Sequence, residues 1–141
     1  MAALVEPTAS DSSPPRILST PLALRRRILL VEPDPDLARV LERELERTQT
    51  VVVVPTLARA LAVLEAGTRL HVVLSANRLR DKTAAALFWL VRRRWSYLRR
   101  VVYAPAGRVR RPTRELAHAV VATEAPFEEL LDAILQREDP S

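Results

Sequence analysis

The 141-residue sequence predicts an α/β fold, namely a doubly wound, five-stranded parallel sheet in a three-layer α/β/α sandwich. Five short segments are apolar throughout rather than alternating, which is typical of strands that are covered on both faces. These segments alternate with helical segments that each carry one apolar face. Right-handed crossovers between parallel strands then produce two helical layers, with any site at the carboxyl ends of the strands.

The predicted strands are the short apolar or β-branched runs of the chain. They cover residues 28–31, 50–54, 70–75, 100–104 and 120–122. The run 50–54 is the most strongly β-branched, and the run 100–104 is stopped by Pro105.

Capping residues define the first two predicted helices. Asp34 is a good N-cap and Pro35 suits the first helical position, so a helix should begin there. Thr56 should cap the second helix, which extends through Ala66 and ends at Gly67.

Three further helices are predicted in the second half of the chain. The third covers residues 83–97. The fourth is short, capped by Thr113 and extending through His118, where a cation would suit the carboxyl end of the helix dipole. Pro126 opens the last helix.

Composition limits the domain organisation and the chemistry. Residues 1–25 are rich in Pro, Ser and Thr, which predicts a flexible extension before a single domain at 26–138. The absence of Cys excludes disulfides, thiolate catalysis and Cys-ligated zinc. No signal peptide or membrane-spanning run is recognisable, so a cytoplasmic protein without membrane contact is expected.

Charge is distributed unevenly along the chain. Residues 1–77 contain nine basic and nine acidic side chains, whereas residues 78–114 contain eleven arginines and Lys82 against Asp81 alone. Residues 115–141 contain seven acidic side chains against Arg137. The arginine excess predicts an interaction surface, although a GC-rich genome could produce the same bias without functional meaning.

Four segments together resemble the receiver domain of bacterial two-component response regulators, over roughly residues 26–137. RILLVEPDPDL resembles its first strand and acidic loop, and VVLSANRLRD its third strand and following loop. VVYAPAG resembles the fourth strand, and ATEAPFEELLDAI the fifth strand, the following turn and the last helix. The resemblance implies a flavodoxin-like fold and a role in signal transduction.

The resemblance also implies that the phosphorylation site has degenerated. Receiver domains phosphorylate an Asp with the help of Mg²⁺, an acidic pair, a Ser or Thr and a Lys. The nucleophile falls on Ala76, the acidic pair on Glu32 and Pro33, the hydroxyl on Ala104, the Lys on Ala125 and the aromatic switch residue on Ala122. No catalytic residue, metal ion or cofactor is therefore expected, and the protein is predicted not to be an enzyme.

Other residues that could carry chemistry are poor candidates. Ser75 should point away from the direction of Ala76, and Asp81 follows in a loop, where the family often has an Asp that forms a turn. Asp34 suits helix capping better than metal ligation. His71 and His118 lie in different predicted elements, so a metal or catalytic pair is not expected.

The third helix is predicted to be a partner-binding surface. Trp89, Arg92, Arg93 and Trp95 combine the residue types that are favoured at protein–protein hot spots. The tryptophans could instead pack against the rest of the protein. The arginine-rich patch of residues 78–114 could also bind nucleic acid, and a nucleic-acid-associated regulator is the alternative function.

The last two helices predict a possible homodimer interface. The fourth is basic and the fifth acidic, so symmetric pairing would bring opposite charges together. The residues concerned are Arg110, Arg111 and Arg114 on one side and Glu128, Glu129 and Asp132 on the other.

Overall fold

The computed structural model describes residues 25–136, and it confirms the predicted alternation of five strands with five helices. The strands are β1 (Arg27–Val31), β2 (Thr50–Val54), β3 (Val72–Ala76), β4 (Arg99–Ala104) and β5 (Ala119–Ala122). The helices are α1 (Pro35–Leu45), α2 (Leu57–Glu65), α3 (Ala84–Arg94), α4 (Arg111–Leu116) and α5 (Phe127–Leu135). The predicted extension, apart from Arg25, and residues 137 and 138 of the predicted domain lie outside the described residues.

The sheet is entirely parallel and has the order β2-β1-β3-β4-β5. The order reverses direction between β1 and β3, so right-handed crossovers place α1 and α5 on one face and the other helices on the opposite face. This reversal leaves a crevice at the carboxyl edge of the sheet, which is where the strands end.

The central strands explain why the apolar runs do not alternate. All five residues of β3 are buried, as are the last four of β1 and the last five of β4. Leu29, Leu74 and Phe88 are fully buried and belong to one continuous core between the layers. Burial on both faces is the expected property of a parallel sheet covered by helices.

Helix α3 ends earlier than the sequence pattern predicts. Its N-cap is Thr83, whose Oγ1 accepts a hydrogen bond from the N–H of Ala86. At the other end the backbone of Trp95 leaves the helical conformation, and its side chain packs against the core. The predicted continuation to residue 97 is therefore wrong because packing of Trp95 ends the helix at Arg94.

Helix α4 begins earlier than predicted. Its N-cap is Arg110, and Pro112 occupies the first turn, where its missing N–H has no cost. Thr113 is buried inside the helix rather than capping it. The prediction that Thr113 is the N-cap is wrong because Pro112 already starts the turn.

The two histidines extend the hydrogen bonding of the sheet at its amino-terminal edge. The backbone N–H of His71 donates to the carbonyl of Arg27, and His71 Nδ1 accepts the N–H of Arg27 at 2.9 Å. His118 forms the same pair of bonds with the backbone of Arg100. The interpretation of His118 as a cation at the end of a helix is wrong, since His118 lies beyond α4 and its ring accepts a hydrogen bond.

Two arginines of β4 attach helices to the sheet. Arg99 Nε donates to the carbonyl of Ala133 in α5 at 2.7 Å. Arg100, which is buried, donates from Nε to the carbonyl of Leu116 at the end of α4 at 2.6 Å. Part of the arginine excess therefore has a structural role in satisfying carbonyl groups at or near helix ends.

None of the helices within residues 25–136 combines the length and the apolar character that crossing a membrane would require.

Candidate functional site

Three of the predicted pocket positions meet at the carboxyl edge of the sheet. Glu32 follows β1, and Ala76 and Ala104 end β3 and β4. All three line one open cavity of about 330 Å³. The alanine side chains contribute only methyl groups, so they provide no nucleophile and no metal ligand.

Glu32 is the one carboxylate of this cavity, and both of its oxygens already accept hydrogen bonds. Oε1 accepts from the hydroxyl of Tyr103, a buried residue of β4. Oε2 accepts from the backbone N–H of Asp34 at 2.9 Å. Burial, the hydrogen bond to Glu32 and the charges of Glu32 and Asp34 raise the pKa of Tyr103 above its ordinary value. The tyrosine therefore remains a proton donor to the carboxylate.

The residues at this edge do not fit a magnesium site. Mg²⁺ requires near-octahedral oxygen ligands and is usually held by more than one carboxylate or phosphate oxygen. Asp34 instead caps α1, where its Oδ1 accepts the N–H of Asp36 at 2.9 Å, as the sequence predicts. Among residues 25–136, no group of three or more His, Cys, Asp or Glu side chains could hold a metal ion.

Ser75 is fully buried, as are its neighbours in β3. Its hydroxyl donates to the carbonyl of Ala76 at 2.7 Å, so it is not exposed for attack on a phosphoryl donor.

Asp81 has a structural role that the sequence analysis did not identify. It lies in the loop between β3 and α3, and its carboxylate accepts the N–H groups of Leu57 at 3.1 Å and Ala58 at 3.2 Å. Thr56 accepts the next N–H, so the first turn of α2 is fully capped. Although desolvation opposes ionisation, the hydrogen bonds from Leu57 and Ala58 hold the pKa of Asp81 below its usual range.

We expect Asp81→Ala to lower the free energy of unfolding by about 1 kcal/mol at neutral pH, the typical cost of a lost helix cap. Since the pKa of Asp81 is lowered, this contribution is fully present above about pH 4 and is lost as the pH falls through the lowered value. Urea unfolding at several pH values measures the difference. Glu44→Ala, in an exposed ion pair with Arg47, is the control, with an expected change within about 0.5 kcal/mol. An equal loss for both variants would contradict the capping role.

The remaining pocket positions lie beside the cavity rather than in it. Pro33 lines a neighbouring depression together with Glu32. Ala122 and Ala125 line a small cavity of about 160 Å³ between α1 and α5. Neither alanine can bind an anion through its side chain.

Glu124 links two loops near the pocket. Its carboxylate accepts the backbone N–H of Ala106 at 3.1 Å, joining the loop before α5 to the loop before α4. Its own N–H and the N–H of Ala106 lower the pKa of Glu124. The loops are therefore connected through a carboxylate of the chain itself.

Helix α3 presents Trp89 at its surface. The Trp89 side chain is 50% exposed, and the guanidinium of Arg93 lies 4.8 Å from the ring centroid. Arg92 is also exposed. Trp95 is only partly exposed and packs against the core. The structure therefore places Trp89, Arg92 and Arg93 among the exposed residues of α3. Trp95, just beyond the helix, is partly buried.

Arg94 at the end of α3 forms an ion pair with Glu65 of α2 at 2.8 Å. Its guanidinium also lies over the ring of Trp95, 4.5 Å from the centroid. Arg94 therefore connects the end of α3 to α2.

The charges on α4 and α5 are exposed, as the dimer hypothesis requires. Arg111, however, forms an ion pair with Glu115 of its own helix at 2.9 Å. Val120 of the edge strand β5 is 43% exposed between these helices. The exposed residues that could form charge pairs are Arg110, Arg114, Glu128, Glu129 and Asp132.

The sequence did not predict that three further side chains line the cavity, namely Tyr103, Arg78 and Arg108. The position of Tyr103 at the end of a buried strand beside Ala104 was a usable signal, because a buried hydroxyl requires a partner. Arg78 and Arg108 lie in the two loops that follow neighbouring strands, and such loops meet at one edge of a parallel sheet.

Two solved structures to which this chain is similar are described as receiver domains. The non-phosphorylated HemR receiver domain of Leptospira biflexa matches with a TM-score of 0.70 at 22% identity, over 83% of this chain and 99% of that chain. The CheY-like response regulator receiver domain of Methylobacillus flagellatus matches with a TM-score of 0.68 at 18% identity, over 78% and 98%. No protein-family model and no curated protein sequence matches the chain.

A third structural match has a different reported role. It is described as belonging to a family of redox sensors in the streptococci that evolved from two-component response regulators. The TM-score is 0.68 at 21% identity, and the match covers 79% of this chain and 51% of that chain.

Proposed function

Because the described residues have the fold of response-regulator receiver domains, we propose that the protein is a non-catalytic signalling adaptor that binds protein partners without being phosphorylated. The observation that carries this proposal is the state of the cavity at the carboxyl edge. Ala76 and Ala104 supply no reactive oxygen, and both oxygens of Glu32 are engaged by Tyr103 and Asp34. In this proposal the domain transmits information by binding to other proteins.

Phosphorylation is tested directly by intact-protein mass spectrometry. The protein is incubated with acetyl phosphate and Mg²⁺, with a phosphorylatable receiver domain in the same reaction as the positive control. We expect a phosphoryl mass gain in the control and none in this protein. A stoichiometric phosphoryl mass gain in this protein would overturn the proposal, provided that it is not an acid-stable phosphoester.

We place the partner surface on α3. An exposed tryptophan beside arginines is the composition that is enriched at binding hot spots. Trp89 supplies the large exposed ring, and Arg93 lies over it. Trp95 would act indirectly in this proposal, since its packing against the core sets where α3 ends.

We further propose that α4 and α5 can form a symmetric dimer contact. Arg110 and Arg114 would face Glu128, Glu129 and Asp132 of a second copy, around the exposed Val120. Exposed ion pairs contribute only about 0–1 kcal/mol each. The charges would therefore fix the orientation of the dimer more than its strength.

We expect Glu128→Lys/Glu129→Lys to weaken self-association measurably in sedimentation velocity at low salt, because like charges would then face each other. The control is Glu42→Lys/Glu46→Lys, which makes the same change in net charge in the last turn and at the C-cap of α1. Unchanged sedimentation of the first variant, or an equal effect of the control, would contradict the dimer contact.

The alternative is a nucleic-acid-associated regulator that uses the arginine-rich residues 78–114. We favour the protein-binding proposal because Arg99 and Arg100 donate to backbone carbonyls and Arg94 pairs with Glu65. These contacts reduce the number of guanidinium groups available to phosphates. A steep salt dependence of binding to single-stranded or duplex DNA would favour the alternative.

A further inference from the structure

A groove with three arginines lies between the start of α3 and the start of α4. Its volume is about 580 Å³. Arg78, Arg108 and Arg110 line it, and none of the described residues around it carries a carboxylate. Its volume is within the range of roughly 300–1,000 Å³ that is typical of small-molecule sites.

This groove adjoins the cavity at the carboxyl edge of the sheet. Asn77, Arg78 and Arg108 line both. The cavity is mostly apolar, with Ala76 and Ala104 among its walls. The cleft therefore consists of two compartments. The cavity that contains Ala76 and Ala104 is mostly apolar, and the groove beside it is cationic.

We propose that this cleft binds a small organic phosphate with a flat aromatic ring, of the nucleotide class, and does so without a metal ion. Guanidinium groups match phosphate oxygens in charge and in their planar, forked geometry. The apolar compartment would hold the ring, and the arginines would hold the phosphates.

The phosphates are placed in the groove rather than in the cavity, because no carboxylate lines the groove whereas Glu32 lines the cavity. Glu32 is bonded to Tyr103 and Asp34, and Glu124 is bonded to Ala106. A concave site of this size encloses a small molecule more readily than a duplex. The chemistry of the walls therefore favours a nucleotide over a nucleic acid or an acidic peptide.

The test is a titration of the ¹⁵N-labelled protein with ATP in EDTA, followed by amide chemical shifts. We expect saturable shifts at Asn77, Arg78, Gly107 and Arg108. Adenosine alone and inorganic phosphate alone should each bind at least about tenfold more weakly than ATP, since each fills one compartment.

Arg78→Ala/Arg108→Ala should weaken ATP binding by about tenfold or more, because two charge-assisted contacts are lost. The matched control is Arg43→Ala/Arg47→Ala, in the last turn of α1 and in the turn that follows it, which removes the same charge and should change the affinity by less than about twofold.

Several results would overturn the inference. They are the absence of saturable shifts at the cleft, an equal loss in the control variant, inorganic phosphate binding as tightly as ATP, and a short DNA duplex or polyglutamate shifting the same amides at lower concentrations. Trp89 does not line the cleft. ATP binding in the cleft and binding of a protein partner to α3 can therefore be contradicted independently of each other.

Discussion

Tyr103→Phe is expected to lower the free energy of unfolding by about 2 kcal/mol, the cost of leaving a buried group without its hydrogen-bond partner. The substitution keeps the ring and removes only the hydroxyl that donates to Glu32. Glu32 is 5% exposed, so little water can replace the donor. Urea unfolding at neutral pH gives the measurement.

Tyr97→Phe is the matched control because it makes the same chemical change at the other tyrosine, whose side chain is 72% exposed. Its expected effect is within about 0.5 kcal/mol. If Tyr103→Phe were as stable as the wild type, the hydroxyl–carboxylate contact would not stabilise the domain.

The raised pKa of Tyr103 adds a spectroscopic test. Because the protonated form is favoured in the folded protein, the stabilising contribution is full below about pH 10 and is lost as the pH rises through the raised value. We expect absorbance at pH 11 to show fewer than two ionised tyrosines while the chain remains folded. Full ionisation without unfolding would contradict the buried contact.

Trp89→Ala is expected to weaken binding to the protein partner by about 30-fold or more, which corresponds to the roughly 2 kcal/mol that defines a hot spot. The ring is half exposed and does not belong to the buried core, so its removal should leave the domain folded. Affinity capture with wild type and variant, followed by titration with the captured protein, measures the effect.

The matched control for Trp89→Ala is Val40→Ala, which removes an exposed apolar side chain on α1. Capture should be retained with the control and lost with the variant. A partner that binds both variants equally would place the interface elsewhere. If binding of the captured partner were lost at high salt but retained in Trp89→Ala, the nucleic-acid alternative would be favoured.

The sequence predicted the sheet and the helices because the relevant signals are local. The apolar runs and the caps at Asp34 and Thr56 depend on neighbouring residues, and the structure confirms them. The errors at α3 and α4 arose where tertiary packing of Trp95 and the fixed backbone of Pro112 determined the ends. The end of α3 depends on a tertiary contact that lies outside a helical pattern, whereas Pro112 at the start of α4 is a local signal that the prediction did not use.

The degenerate pocket positions were predictable only through the family resemblance. Their surroundings were not predictable, because the contacts join residues far apart in the chain. Tyr103 and Glu32 are 71 positions apart, and Asp81 and Leu57 are 24 apart. A polar residue that bonds across such a separation leaves no periodic signal in the sequence.

His71 gives the start of β1 its own response to acid. Burial and the charges of Arg26, Arg27 and Arg69 lower the pKa of His71, so its stabilising contribution is full above about pH 6.5 and is lost as the pH falls through the lowered value. A protonated ring could no longer accept the N–H of Arg27. Mild acid should therefore lower the protection factors for amide exchange at the start of β1, while those at the opposite edge, where the cleft opens, stay unchanged. The imidazole of His71 takes the place of a backbone carbonyl as the hydrogen-bond acceptor for Arg27. Its protonation would therefore control how readily the start of β1 opens, and it would not control signalling.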